Sequence, residues 1–287
     1  METLHDIPGL RDKLAQWRAA GLRIGLVPTM GNLHAGHIAL VRAALERADR
    51  VVATVFVNPL QFGPGEDLDS YPRTLDEDAR RLAVAGCHLL FAPTESAMYP
   101  EGRAEHTAVE VPGLSAQLCG ASRPGHFRGV TTVVAKLFNL VQPDLAVFGQ
   151  KDYQQLLLIR RMAADLNMAL DIVGLPTVRE PDGLAMSSRN GYLSATERRR
   201  APALFRTLQA LAAAVAAGAD PTQAERDAAA ALRVAGLEPD YVSVRRQADL
   251  APPEPADTEL VVLAAVKLGR ARLIDNLELR RPAAAAG

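Results

Sequence analysis

The stretch Val27-Pro28-Thr29-Met30-Gly31-Asn32-Leu33-His34-Ala35-Gly36-His37 constrains this chain more than any other. The apolar run Ile24-Gly25-Leu26-Val27 has the composition of a buried strand, and Ile38, Val41, Ala44, Leu45 and Ala48 recur at helical spacing. Glycines mark the junction, so the segment reads as strand, tight loop and helix N-terminus. The first amides of a helix lack intrahelical partners and sit at the positive end of its dipole, which attracts phosphate. His34 and His37, three residues apart, fall on one helical face beside those amides, where they can donate to phosphoryl oxygens as charge develops. Gly36 between them admits a flat base or a ribose close to the backbone. On these residues alone the pair could equally cap the helix or bind a metal. Zinc is the weaker alternative, because an i, i+3 pair lacks further ligands and neither Cys87 nor Cys119 has zinc-site spacing.

The pattern histidine-x-glycine-histidine after a first strand is shared by nucleotidylyltransferases and class I aminoacyl-tRNA synthetases. The wider P-T-M-G-N-L-H-A-G-H resembles the pantoate–β-alanine ligase (pantothenate synthetase) family, and further matches extend over nearly the whole chain. The resemblance implies ATP, pantoate and β-alanine as substrates, a pantoyl-adenylate intermediate, and release of pyrophosphate and AMP. It implies ATP contacts from Met30, Gly31, Asn32, Leu33, His34, Ala35, Gly36 and His37, with His34 and His37 catalytic. It also implies Mg²⁺ arriving on the nucleotide, no metal site of the protein's own, and a homodimer.

With 287 residues, 48% of them hydrophobic, and a net charge of -1, the chain can bury a substantial core in one large or two modest domains. No run approaches the roughly 18 apolar residues of a membrane span, and Met1 to Asp12 has no signal-peptide core. Two separated cysteines without a framework fit free thiols in a reducing cytoplasm. The balanced charge argues against a tRNA-binding synthetase, which needs a basic surface, and against nucleic acid as a partner. The only lysines are Lys13, Lys136, Lys151 and Lys267, so a lysine inside a polar motif stands out from a background of arginine.

A lead-in helix is expected up to Gly21. Val51 to Val57 then reads as a parallel strand covered on both faces, with Asn58-Pro59-Leu60-Gln61-Phe62 at its carboxyl end, where ligands of such sheets collect. Gln61 can donate and accept, which suits hydroxyl and carboxylate groups, though position alone leaves it an ordinary loop glutamine. N-P-x-Q-F resembles the family's pantoate and β-alanine contact. Gly63 to Arg73 reads as a loop, Leu75 to Gly86 as a helix, His88 to Phe91 and Ala108 to Val111 as strands, and Val130 to Val141 as a helix. His88 and His106 read as structural. Arg123-Pro124-Gly125-His126-Phe127-Arg128-Gly129-Val130 reads on spacing alone as a loop and helix start, and in the resembling family this segment helps wall the site.

The strand Leu145 to Phe148 ends in Gly149-Gln150-Lys151-Asp152-Tyr153-Gln154-Gln155. Gly149 allows close approach, Lys151 supplies a mobile charge for phosphates, and Asp152 can cap the helix Tyr153 to Leu166. Gln155, one turn in, could face the same pocket as Gln61. A capped helix with a surface lysine is the alternative. G-x-K-D-Y-Q-Q resembles the family's phosphate and pantoate segment, which implies ATP contacts from Gly149, Gln150, Lys151 and Asp152, with Lys151 catalytic, and substrate contact from Gln155.

Leu170 to Leu175 is a further strand, and Pro176 to Gly183 a Pro/Gly-rich hinge. Leu184-Ala185-Met186-Ser187-Ser188-Arg189-Asn190 reads as an uncapped polar loop whose hydroxyls and planar cation suit a triphosphate. It resembles the superfamily's second mobile loop. M-S-S-R-N is the ligase version, whereas class I synthetases carry lysines there; the resemblance adds Val178, Met186, Ser187, Ser188 and Arg189 to the ATP contacts. Leu204, Leu208, Leu211 and Val215 form a core stripe, a second helix runs from about Pro221 to Ala235, and Tyr241 to Arg245, Leu260 to Lys267 and Ala271 to Ile274 read as strands.

The expected fold is α/β: a Rossmann-like, mostly parallel sheet in an N-terminal ATP- and pantoate-binding domain (1–176), with a smaller α+β C-terminal lid domain (177–282). The tail 283–287 is expected to be disordered. Two rivals are another H-x-G-H nucleotidylyltransferase that stops after nucleotide transfer, and a nucleotide-sensing protein without turnover.

Overall fold

The computed structural model describes residues 1–282, so the tail expected to be disordered lies outside the described residues. The chain divides into two compact units, residues 1–150 with 155–176, and residues 151–154 with the chain from Thr177 onward.

In the first unit the elements are β1 (Glu2–Leu4), α1 (Ile7–Ala19), β2 (Ile24–Thr29), α2 (Ala35–Leu45), β3 (Arg50–Val55), α3 (Leu75–Val84), β4 (Leu89–Phe91), α4 (Glu95–Met98), α5 (Cys119–Ser122), α6 (His126–Val141), β5 (Leu145–Gly149), α7 (Tyr153–Asp165, which belongs to this unit from Gln155 onward) and β6 (Asp171–Leu175). The strands form one parallel sheet in the order β1-β4-β3-β2-β5-β6. Ile24 to Val27, Val51 to Thr54 and Leu145 to Phe148 are buried, as strands covered by helices on both faces must be. One face packs Leu40, Val41 and Ala44 of α2 and Leu82 of α3 against Val27, Val51, Ala53 and Val147. Leu10, Leu14 and Trp17 of α1 are buried where α1 meets α6.

Strand β2 pairs with β3 on one side and β5 on the other, and the chain order reverses there. At such a switch point the loops leaving neighbouring strands diverge and open a crevice at their carboxyl ends. The histidine loop leaves β2 at that end.

Local expectations differ from the structure at several points; helix α6, for one, begins at His126, inside the stretch expected to be a loop ahead of Val130. Strand β1 had no sequence signal: three partly exposed residues paired only with β4 are too short to show a period. The strand expected at Ala108 to Val111 is not formed. The Val109 N–H donates to Thr132 Oγ1 at 2.9 Å and its carbonyl accepts from Thr131 Oγ1 at 2.5 Å, so hydroxyls of α6 satisfy the backbone in place of a ladder.

The second unit contains α8 (Ala195–Arg200), α9 (Ala203–Ala216), α10 (Pro221–Val234), β7 (Glu238–Arg246), β8 (Glu259–Leu268) and β9 (Ala271–Arg280). Its sheet is antiparallel in the order β7-β8-β9. Leu204, Leu208, Leu211 and Val215 pack onto Leu260, Val262, Ala264 and Val266, the i, i+4 stripe of a helix meeting the period-two face of a strand. Among the described residues, no helix is long and apolar enough to cross a membrane. Cys87 and Cys119 are free thiols and buried.

Candidate active site

His34 occupies the N-cap of α2 in extended backbone. Its Nδ1 accepts the Gly36 N–H at 3.1 Å, and the Nδ1 of His37 accepts the N–H of His34 at 3.3 Å. The rings lie 4.1 Å apart, tilted by 41°. The histidines therefore form a reciprocal capping box, with imidazole nitrogens in the place of the usual oxygens. Because each Nδ1 receives a proton from the backbone, each imidazole carries its own proton on Nε2 and presents it as a donor. The capping reading of the pair is the one the geometry shows.

The loop between β2 and α2 is tightly held. Thr29 Oγ1 donates to the Thr54 carbonyl at 2.7 Å and accepts the Gly31 N–H at 3.2 Å. Gly31 and Asn32 adopt left-handed φ values of 85° and 49°. Asp78 of α3 accepts the N–H groups of Asn32 at 2.9 Å and Leu33 at 2.7 Å.

At the end of β3, Asn58 caps the 3-10 turn Pro59–Gln61. Asn58 Nδ2 donates to Gln61 Oε1 at 3.2 Å and to the Gly129 carbonyl at 3.0 Å, while Oδ1 accepts the Tyr99 hydroxyl at 2.8 Å. Burial, and after it the charge of Glu95, pushes the Tyr99 pKa up, so the phenol stays protonated and donates. With its Oε1 taken, buried Gln61 donates from Nε2 to Met30 Sδ at 3.0 Å. Met30 and Gln61, predicted separately, thus meet.

Arg123 and His126 clamp the same turn. The Gln61 carbonyl accepts from Arg123 at 3.2 Å and lies 2.7 Å from His126 Nδ1, and Arg123 pairs with Glu66 at 2.5 and 2.7 Å. Burial alone would raise the Glu66 pKa, but hydrogen bonding and charge from Arg123, the Gly63 amide and His126 outweigh it and hold it below the usual carboxylate value. Beyond β5, the Cβ direction of Gly149 opens on empty space, which suits close approach to its backbone. Gln150 lies in the following 3-10 turn, and Gln155 is half-buried on the first turn of α7.

In the second unit, Lys151 and Asp152 belong to the 3-10 turn Gln150–Asp152, with Lys151 Nζ 3.9 Å from Asp152 Oδ2. The Lys151 carbonyl accepts from Asn276 Nδ2 of β9 at 2.9 Å. Val178 and Met186 are joined by a backbone hydrogen bond of 3.0 Å, and Arg179 bridges to Ala185, so residues 178–186 form a short hairpin. Arg179 braces it with a bidentate pair to buried Asp275 at 2.7 and 2.9 Å, and its guanidinium lies 3.5 Å from the Phe205 ring centroid. The loop that follows is not uncapped as expected: Ser187 Oγ accepts the Arg189 N–H at 3.2 Å and caps the 3-10 turn Ser188–Tyr192. A serine followed by two turn residues carries that signal, but no helical period follows it.

Among the described residues, no group of three or more His, Cys, Asp or Glu could hold a metal ion. Sequence reasoning missed Asp78, Asn58, Tyr99, Arg179 and Asp275 as supports of the site. Only Asn58, inside its quoted motif, carried a signal.

The Pantoate-beta-alanine ligase family model matches residues 2–278. A pantothenate synthetase of Shewanella amazonensis is 60% identical, the alignment covering 98% of this chain and 100% of that protein. The crystal structure of pantothenate synthetase from Thermus thermophilus superposes with a TM-score of 0.89 at 49% identity, covering 98% of this chain and 100% of that one. The pantoate-beta-alanine ligase of Francisella tularensis, complexed with beta-gamma ATP and beta-alanine, gives a TM-score of 0.82 at 32% identity, over 96% and 97% of the two chains.

Proposed function

The chain belongs to the pantoate–β-alanine ligase family, and from that premise we propose how its residues divide the work of the reaction. The enzyme joins pantoate to β-alanine in an ATP-dependent amide-forming ligation that yields pantothenate, AMP and pyrophosphate. In the first step a pantoate carboxylate oxygen attacks the α-phosphorus of ATP. The bond from that phosphorus to the bridging oxygen breaks, and pyrophosphate leaves with the electron pair, giving pantoyl adenylate. In the second step the β-alanine nitrogen attacks the acyl carbon, the acyl–oxygen bond breaks, AMP leaves, and the amine gives up a proton.

In this reading Met30, Gly31, Asn32, Leu33, His34, Ala35, Gly36, His37, Gly149, Gln150, Lys151, Asp152, Val178, Met186, Ser187, Ser188 and Arg189 contact ATP. Gln61 and Gln155 hold pantoate. Mg²⁺ comes bound to the nucleotide, and no step is assigned to it. Residues 1–176 serve as the catalytic domain and 177–282 as a lid domain; the enzyme is cytoplasmic and a homodimer, the last of which sedimentation at micromolar concentration tests.

The observation that carries this reading is the reciprocal capping of His34 and His37. It fixes both Nε2–H donors before substrate arrives, and donors fixed in advance stabilise developing charge without reorganisation, each worth about 10²–10³ in rate. This reading assigns Gln61 and Gln155 to pantoate and no dedicated residue to the amine, which supports formation of the adenylate first. We expect pyrophosphate to exchange into ATP in a reaction that depends on pantoate and proceeds without β-alanine. An absolute requirement for β-alanine would contradict the stepwise order.

A further inference from the structure

The histidine loop is gripped by one face of α3. Asp78 is 1% exposed, yet its carboxylate is fully engaged: Oδ1 accepts the Leu33 N–H at 2.7 Å, and Oδ2 accepts the Asn32 N–H at 2.9 Å and the Thr74 hydroxyl at 3.2 Å. One turn on, the Arg81 guanidinium donates to the Leu33 carbonyl and is itself held by Glu77 at 2.9 Å. Both sides of the residue preceding His34 are therefore fastened to α3. Gly31 completes the fit, since a Cβ there would lie 3.0 Å from Asp78 Oδ2 and 3.0 Å from Val55 Cγ1, at a φ of 85°.

The chemistry explains why a carboxylate occupies this position. Two adjacent N–H groups converge on it, and the first belongs to Asn32, whose φ of 49° lies in the left-handed region that L-residues enter at a cost unless anchored. A carboxylate offers an acceptor oxygen to each N–H, whereas a carboxamide offers one oxygen and an NH₂ that faces the second donor. We infer that Asp78 is a positioning residue for the ligation. It fixes the Gly31–Asn32 and Asn32–Leu33 peptide planes, while Arg81 holds the Leu33 carbonyl in the plane that carries the His34 N–H, so the two side chains together set the direction of that N–H and through it the ring of His37. This rests on the reading of His34 and His37 as phosphate donors.

The test is Asp78→Asn, compared with Leu82→Ala, which loosens the buried face of α3 while leaving every loop acceptor in place. Asp78→Asn is expected to lower kcat about ten- to a hundredfold, the scale of a small misplacement of reacting groups. Its ¹⁵N-labelled histidine spectrum should move from the Nε2–H tautomer toward averaging over both nitrogens. Leu82→Ala should lower the unfolding temperature but keep kcat and the histidine signals close to wild type wherever it is folded. If Asp78→Asn does not fold, Arg81→Leu, at a half-exposed position, should shift kcat and the signals in the same direction by a smaller factor. Asp78→Asn with kcat within twofold of wild type and unchanged tautomers would overturn the inference, as would a Leu82→Ala enzyme that loses kcat equally. His37→Ala separates the two claims. If it keeps turnover, the phosphate-donor reading fails; if it loses turnover while Asp78→Asn does not, only the role of Asp78 fails.

Discussion

Histidine does two different jobs in this chain, and the hydrogen bond at Nδ1 decides which. At His34 and His37 the Nδ1 atoms take backbone protons at a helix start and leave Nε2–H as a donor. At His88 the same atom accepts the Val51 N–H at 3.1 Å, stitching β3 to the segment before β4, while the ring stands edge-on to Trp17. Burial, then the charges of Arg50 and the N-terminus, lower the His88 pKa below its ordinary 6.5. A depressed folded pKa means that the unfolded chain takes up the proton first. The stability this group contributes is thus complete above about pH 6.5 and is lost as pH falls through the lower folded value. Denaturant titrations of His88→Asn, whose side-chain oxygen can still accept from Val51, should fall less than wild type between pH 7 and 5. Equal slopes would show that His88 does not titrate in that window. The residues proposed to carry the chemistry were legible in the sequence: the histidine pair, Gln61 and Lys151 stood in contiguous motifs. Asp78 and Tyr99 were not, because each acts on a segment 45 or 41 residues away, and no local pattern records such a partner.

Helix α6 positions the turn that carries Gln61, and it does so by close approach. A Cβ on Gly129 would lie 2.3 Å from the Leu60 carbonyl oxygen and 2.7 Å from the Gln61 nitrogen, distances that only backbone movement could relieve. Gly129→Ala should therefore destabilise the protein by about 1–3 kcal/mol, the usual scale for overpacking. Because the displaced backbone is that of Gln61, the KM for pantoate should rise several-fold, measured with ATP saturating. An unchanged KM alongside the stability loss would remove Gln61 from the pantoate site. Most element types and approximate positions followed from period and punctuation, since a helix or strand that buries one face must repeat its apolar residues at 3.6 or 2. The strand expected at Ala108 to Val111 shows the limit of that reasoning: its composition suits a strand, but the hydroxyls of Thr131 and Thr132 took its backbone groups.

Each of the two units has its own apolar core, and the cores are chemically distinct. One is a helix-covered parallel sheet built on Val27, Val51 and Val147; the other packs Leu204, Leu208 and Leu211 onto an antiparallel sheet. Leu208 is fully buried, so Leu208→Ala should cost about 2–5 kcal/mol. If the units open separately, amide exchange should quicken along β8 while β2 keeps its protection. Equal acceleration in both would mark a single cooperative unit. The sequence by itself determined that the first half alternates strand and helix about a glycine-containing loop that opens a helix, and that the second half packs helices on strands. Burial of one face is a local periodic property, and a family signature is a contiguous string. Only the tertiary structure decided the strand order β1-β4-β3-β2-β5-β6 and the supports under each loop. It joined Leu33 to Asp78, Asn58 to Gly129 and Lys151 to Asn276, across 45, 71 and 125 residues. Such pairs depend on where the chain returns after its core has closed, and the local spacing of residues holds no record of that return.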